Sequence, residues 1–137
     1  HEETCNMFAV MHNPKAAYNK VGIETGVDTA DPHKLVLMLF EGAMLAVSGA
    51  SLHMQRNEIA KKGEAVSKAI NIIANGLKAS LDTQAGGELA ERLAALYDYM
   101  CARLLHANLN NQPAVLDEVS HLLAELKDAW AQIGSKP

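Results

Sequence analysis

Glu118 and His121 have the spacing that most resembles a metal-binding motif. Helical bundles hold a dimetal carboxylate centre with Glu-x-x-His pairs on two helices and two further inward carboxylates. Residues 118–121 match that motif once. On a helical wheel Val119 and Leu122 mark the core, and Glu118 and His121 point away from it. We therefore predict no metal site.

Other residue types that could do chemistry are not arranged for it. A histidine phosphotransfer bundle needs an exposed histidine followed by a small residue and Lys-Gly, and none of the helical histidines has this context: His33, His53, His106 and His121. Lys62 and Gly63 lack the glycine spacing and the terminal Ser or Thr of a phosphate loop. With no convergent polar constellation, the sequence predicts neither an enzyme nor a cofactor.

Composition narrows the class of protein. The chain has 137 residues, the size of one domain, and its 22 alanines and 17 leucines favour helices. A net charge of -4 argues against a nucleic-acid surface, which needs an excess of Lys and Arg. Two cysteines, Cys5 and Cys101, cannot build a disulfide framework, and nothing resembles a signal peptide. We expect a reduced, cytoplasmic protein.

The pattern of apolar residues predicts helices after residue 12. We expect a disordered extension over residues 1–12 and a single helical domain over 13–137. The predicted elements are a short helix over Asn13 to Lys20, an extended connector to Val27, helix A over Pro32 to Gln55, helix B over Glu58 to Asp82, helix C from about residue 87 to Asn108, and helix D to Gly134.

Start signals and apolar spacing support these helices. Asp31 followed by Pro32 places a capping carboxylate before a residue preset for the first helical turn. Helices B, C and D each carry apolar residues spaced by threes and fours. Four helices of about 20 to 25 residues with short loops pack as antiparallel neighbours. The predicted fold class is therefore all-α, an up-down-up-down four-helix bundle preceded by a short N-terminal helix.

Helix A has more apolar surface than one bundle face needs. Six consecutive residues, 35–40, are apolar, and at 100° per residue they surround the helix. The run is too short and interrupted for a membrane span of about 20 residues, so no membrane insertion is expected. The outer face must be covered by the chain's N-terminal segment, a second copy or a partner. Met38, Met44 and Met54 favour a partner, because methionine lines adaptable binding surfaces.

The candidate partner contacts are apolar residues of helix A and two tyrosines. They are Leu35, Val36, Leu39, Phe40, Met44, Val47, Tyr97 and Tyr99. Tyr97 and Tyr99 point about 200° apart on helix C, so one should be buried and the other exposed. An exposed tyrosine suits a protein contact.

Several sequence blocks resemble one family. Residues 29–43, TADPHKLVLMLFEGA, resemble the first long helix of the flagellar secretion chaperone family FliS. Blocks at 62–73, 76–82, 86–100 and 123–130 agree with it in the same order, so the similarity covers nearly the whole chain, from Asn13 to Ile133.

The resemblance implies a cytoplasmic bacterial chaperone without enzymatic activity. It would bind the C-terminal segment of new flagellin, prevent premature polymerisation and present flagellin to the type III export gate. Other flagellar regulatory proteins are further implied partners. In the family the N-terminal segment acts as a displaceable cap, which assigns capping or export-gate contact to Tyr18, with Ile23 and Val27 beside it. The alternative is a self-associating regulatory or structural bundle, a homodimer when unliganded.

Overall fold

The helices stand around the bundle in the order in which they occur along the chain. A computed structural model describes residues 14–21, 31–82 and 84–134. Its α-helices are α1 (Pro14–Lys20), α2 (Pro32–Gln55), α3 (Ile59–Asn71), α4 (Gly87–Asn110) and α5 (Pro113–Gly134). Each long helix packs against the next, and α5 returns to α2. The predicted all-α bundle with a short N-terminal helix is confirmed.

Polar contacts at both ends of the bundle show that neighbouring helices are antiparallel. At one end His33 of α2 stacks on Trp130 of α5, with ring centroids 5.1 Å apart. Trp130 Nε1 donates a hydrogen bond of 2.9 Å to the His33 carbonyl. At the other end Lys62 Nζ of α3 donates to the Asn108 carbonyl of α4 at 2.9 Å. The start of one helix therefore lies beside the end of its neighbour.

The predicted bounds of α2 are confirmed by its capping. Asp31 Oδ1 accepts a 3.0 Å hydrogen bond from the His33 amide, and the helix runs from Pro32 to Gln55 as predicted. The predicted end of helix D at Gly134 is also confirmed. Helix C was predicted to end at Asn108 but extends two residues further, because Asn111 is the residue with a left-handed φ of 51°.

Predicted helix B does not run as one α-helix to Asp82. After α3 a π-helical segment covers Ile72–Leu77, a 3-10 turn covers Lys78–Ser80, and Leu81 is extended with ψ 143°. Buried residues here come in adjacent pairs four apart, at positions 72/73, 76/77 and 80/81. The segment thus stays packed in the core while its hydrogen-bond pattern changes from α to π to 3-10.

The apolar run of α2 is packed within the molecule. Residues 35, 36, 39 and 40 are buried, and residues 37 and 38 are half-buried. By length and composition alone α2 is apolar enough to cross a membrane, so the expectation that its apolar stretch is too short was wrong. Core helices of soluble proteins can be equally long and apolar. Nine residues of α2 are buried in the bundle.

Some sequence predictions lie outside the described residues. They are the disordered extension over residues 1–12, the Asn13 cap, the connector over residues 22–27 with Ile23 and Val27, and the side chain of Tyr18.

Candidate functional site

Five of the six α2 residues predicted to contact a partner lie inside the bundle. Their exposed fractions are 5% or less, whereas Met44 is half-buried. The five buried residues are Leu35, Val36, Leu39, Phe40 and Val47. The structure brings them together as core, so a partner reaches them only where a neighbouring element moves away.

Helix α1 covers part of this α2 surface. It packs against α2, the π-helical segment and the 3-10 turn. Ala17 is buried, and Val21, four residues later and so on the same face, is half-buried against the core. We call the surface of α2 and the π-helical segment around Leu39 and Gly76 the α1 seat. The chain's own N-terminal segment, one of the three predicted covers of helix A, therefore packs on this helix.

Gly76 allows α1 to approach closely. A Cβ atom at this position would lie 2.9 Å from Leu39 Cδ2 and 3.4 Å from Val21 Cγ1. The first distance is shorter than side chains tolerate, so the missing side chain makes room for both neighbours. A glycine inside a helical pattern is the sequence signal for such an approach. The α1 seat therefore depends on this residue.

Tyr97 and Tyr99 are oriented as predicted, one inward and one outward. Tyr97 is buried, burial raises its pKa, and its hydroxyl has no hydrogen-bond partner within residues 14–21, 31–82 and 84–134. Tyr99 is 44% exposed and donates a 2.5 Å hydrogen bond to Glu118 Oε2. That bond raises the pKa of Tyr99 and lowers the pKa of Glu118. Of the two, Tyr99 is available to a partner.

Glu118 accepts hydrogen bonds from two side chains of α4. Its second carboxylate oxygen accepts a 2.9 Å hydrogen bond from Arg103 Nε, which links α4 to α5. His121 is exposed. In the part of the chain that the structure describes, no group of three or more His, Cys, Asp or Glu side chains is placed to hold a metal ion.

Lys62 also has a structural role that sequence reasoning missed. Its side chain is buried, and Nζ donates to the Asn108 carbonyl and, at 2.5 Å, to Asn111 Oδ1. These bonds use two donors of the ammonium group and pair one carbonyl in the last turn of α4. Lys62 thereby ties the start of α3 to the end of α4.

Sequence reasoning also missed the exposed aliphatic side chains. They are Leu45, Leu52, Ile59, Leu105 and Leu109, with exposed fractions from 42% to 75%. None is among the predicted contacts, which come from the apolar run of helix A and from two tyrosines of helix C. The available signal was that Leu105 and Leu109 lie outside the three-four apolar seam of helix C, whereas Ile59 lies in line with Val66 and gave no such signal.

Comparisons with known proteins agree with the resemblance seen in the sequence. Residues 14–137 match the family model described as flagellar protein FliS. The chain is 51% identical over 120 residues to the flagellar secretion chaperone FliS of Salmonella typhimurium, covering 88% of this chain and 89% of the relative. It is 47% identical over 116 residues to the Escherichia coli protein of that name, covering 85% of each. The Bacillus subtilis relative is 34% identical over 122 residues, covering 89% of this chain and 86% of the relative.

Proposed function

This chain belongs to the FliS family of flagellar secretion chaperones, and we propose that it binds the C-terminal segment of flagellin. In this proposal it keeps that segment from polymerising and delivers flagellin to the type III export gate. Family membership confirms the predicted role in flagellar export and the prediction that the protein is not an enzyme. Because the substrate is met before export, we place the protein in the bacterial cytoplasm.

The α1 seat is the observation that carries the proposal. It joins buried surface of α2 to the π-helical segment, yet its cover is a helix of only seven residues. Isolated helices shorter than about 12 residues are marginal in water, so α1 has little stability of its own. An amphipathic flagellin segment that replaces α1 would bury the same apolar surface in a helix-in-groove mode.

The predicted contacts differ in whether α1 must leave before a partner can reach them. Leu39 becomes available when α1 leaves, since it lies in the α1 seat. Tyr99 is available in the described state. For the other candidates on α2 and α4, contact with flagellin stays a prediction, as does contact of Tyr18, Ile23 and Val27 with the export gate.

Calorimetric titration with a peptide from the flagellin C-terminal region tests the proposal. The wild-type protein should bind one peptide with a negative heat-capacity change and a gain of helix. The A17D variant places a charge under α1 and should weaken its docking. If α1 competes with flagellin, A17D binds several-fold more tightly, because the binding-competent state is more populated.

N19D is the matched control, because it adds the same charge at an exposed position of α1. It should bind as the wild type does. Equal affinities of A17D and wild type would contradict displacement of α1 but leave flagellin binding in place. A folded wild-type protein that ignores the peptide would overturn the flagellin proposal. A dimer seen by light scattering would then favour the self-associating alternative.

A further inference from the structure

A pocket opens between α2 and α5. Its volume is about 200 Å³, and three residues of each helix line it: Val47, Ser48, Ser51, Leu116, Asp117 and Ser120. We call these six residues the α2–α5 pocket. Helix α1 packs against α2, the π-helical segment and the 3-10 turn, and Leu39 in the α1 seat precedes Val47 by about two helical turns. A flagellin segment at the α1 seat therefore need not reach the pocket.

The pocket combines an apolar floor with a polar rim. Val47 and Leu116 are buried, whereas Ser51 and Ser120 are half-buried and Asp117 is exposed. Within the described residues, the hydroxyls of the three lining serines and the Asp117 carboxylate make no hydrogen bond and no ion pair with another protein group. The rim therefore presents hydroxyl and carboxylate oxygens that can accept hydrogen bonds from a ligand.

This combination fits the side chain of an arginine or a lysine. Both side chains have an apolar stem that packs on apolar surface and a cationic head that bonds to oxygen acceptors. Charge-assisted bonds from such a head to a carboxylate are stronger than bonds between neutral groups. Arginine suits the rim best, because its five donors can bond Asp117 and the serine hydroxyls at the same time.

The charge of the bundle is unevenly distributed and favours a cation on this side. Helix α5 has four carboxylates and one lysine, a net charge of -3. That lysine, Lys127, already lies 3.6 Å from Glu41 of α2. The stretch from Arg56 to Lys78, on the diagonally opposite side, has five cationic side chains and two glutamates, a net charge of +3. A basic partner is therefore attracted to α5 and repelled by α3.

Two exposed leucines beside the pocket indicate that the cation belongs to a protein. Leu45 and Leu52 are 75% and 42% exposed, and on a helical wheel they lie within about 60° of Ser48. A free amine or guanidine would leave both leucines in water. An amphipathic helix with a cation in its apolar face would cover the leucines and fill the pocket together. Two copies meeting through α5 would instead bring like charges together.

We propose that the α2–α5 pocket binds an arginine or lysine side chain on a basic amphipathic helix of a second partner protein, whose apolar face covers Leu45 and Leu52. The pocket and the α1 seat are separate surfaces, so the chaperone would hold this partner and flagellin at once. The inference goes beyond the proposed function and does not depend on what occupies the α1 seat.

A pair of designed peptides tests the pocket. The first is a labelled helical peptide of about 14 residues, with leucines and one arginine on one face and glutamine elsewhere. The second has citrulline, a neutral analogue of the same shape, in place of arginine. Fluorescence anisotropy should show that wild-type protein binds the arginine peptide about tenfold more tightly. Asp117→Asn should remove this preference without changing the melting temperature, because Asp117 is exposed.

Asp128→Asn is the matched control for charge, because it removes an exposed carboxylate of α5 outside the pocket. It should keep the preference for arginine. If Asp128→Asn and Asp117→Asn behave alike, the attraction is that of the whole acidic helix and the pocket assignment is wrong. A wild-type protein that binds both peptides equally would also overturn it.

The leucines have a matched control of their own. Leu45→Gln with Leu52→Gln should weaken binding of both peptides about tenfold, because glutamine removes apolar surface but keeps helix propensity. Leu105→Gln with Leu109→Gln changes two exposed leucines of α4 and should bind both peptides as the wild type does. Equal losses in the two double variants would overturn the assignment of the peptide to the α2–α5 side.

Two further measurements separate the other occupants. Calorimetry with the flagellin C-terminal region should give the same affinity for wild type and Asp117→Asn. A weaker Asp117→Asn protein would make flagellin the occupant and overturn the second partner. Sedimentation of the free protein should show no self-association that depends on Asp117. Self-association that Asp117→Asn abolishes would assign the pocket to the basic stretch of a second copy. Failure of flagellin binding alone would overturn the proposed function and leave the pocket proposal standing.

Discussion

The α1 seat around Leu39 and Gly76 is an apolar surface that the chain covers. The surface of Ile59, Gly63, Leu105 and Leu109, the α3–α4 patch at the start of α3 and the end of α4, is apolar and exposed. At the α1 seat Gly76 has Leu39 and Val21 against it, whereas Gly63 in the patch has open space. Large exposed apolar surfaces lead to aggregation, and patches of about 300–600 Å² are tolerated on monomers. The comparison suggests a rule for this chaperone: the surface continuous with the core is covered by the chain itself, and only a small contact is left open.

Truncating one leucine in each region should give the largest difference. Leu39 is fully buried, so Leu39→Ala should lower the free energy of unfolding by about 2–5 kcal/mol through lost burial and a cavity. Leu109 is 72% exposed, so Leu109→Ala should change it by less than about 0.5 kcal/mol. Urea unfolding followed by circular dichroism measures both. Similar losses would mean that the two regions do not differ in packing.

Alanine substitutions at the two glycines should change the stability of the protein in opposite directions. Gly76→Ala forces a methyl group against Leu39 and Val21 and should destabilise the protein by about 1–3 kcal/mol. Gly63→Ala adds a methyl group in open space and should stabilise by about 0.5–1 kcal/mol, since alanine favours the helix. Thermal melting compares them. A stabilised Gly76→Ala protein would show that α1 does not pack closely on its seat.

The tyrosine pair extends the comparison of covered and open positions to α4. Tyr97→Phe removes a buried hydroxyl that has no partner within the described residues, so the variant should be more stable by about 1 kcal/mol. Tyr99→Phe removes the hydrogen bond to Glu118 and should be slightly less stable. Denaturant midpoints measure both changes. Destabilisation by Tyr97→Phe would indicate that its hydroxyl has a partner in the folded protein.

Acid should lower the stability of the loop between α2 and α3, and this effect should be the smallest of those predicted. A hydrogen bond between Glu58 and His53, 2.9 Å apart, lowers the Glu58 pKa, with Lys61 as a further cause. A lowered folded pKa means that this stabilisation is present above the unfolded pKa, near 4.5, and is lost as pH falls through the lower folded value. Melting temperatures of wild type and Glu58→Gln from pH 6 to about pH 3 should therefore converge in acid. Parallel profiles would contradict a role for the ionised carboxylate.

Local signals in the chain account for most of the predicted fold. Asp31 and Pro32 mark the start of α2 by a mechanism that acts within one turn, so its bounds could be read directly. The end of predicted helix B could not be predicted in this way, because no local signal distinguishes Ile72–Leu77 from an α-helix. Its neighbours in the folded protein are α1, α2, α3 and α4, which lie far away in the chain apart from α3.

The candidate site was harder to predict than the fold. Periodicity marks which residues are apolar but not which of them a neighbouring helix will cover, so it could not show that Leu35 and Phe40 are buried. Tyr97 and Tyr99 were separated correctly, because their relation depends only on helix geometry. Leu105 and Leu109 were not predicted to be exposed, since their exposure depends on how the start of α3 lies beside the end of α4.

The amino-acid sequence by itself determined the helical class, the caps, the order of the helices and the family, since these depend on neighbouring residues or on matching blocks. Only the tertiary structure decided that α1 lies over Leu39, that Gly76 makes room for it and that Leu105 and Leu109 stay open. Whether a side chain is exposed depends on which distant segment of the chain packs against it. The apolar pattern of one helix carries no information about that segment.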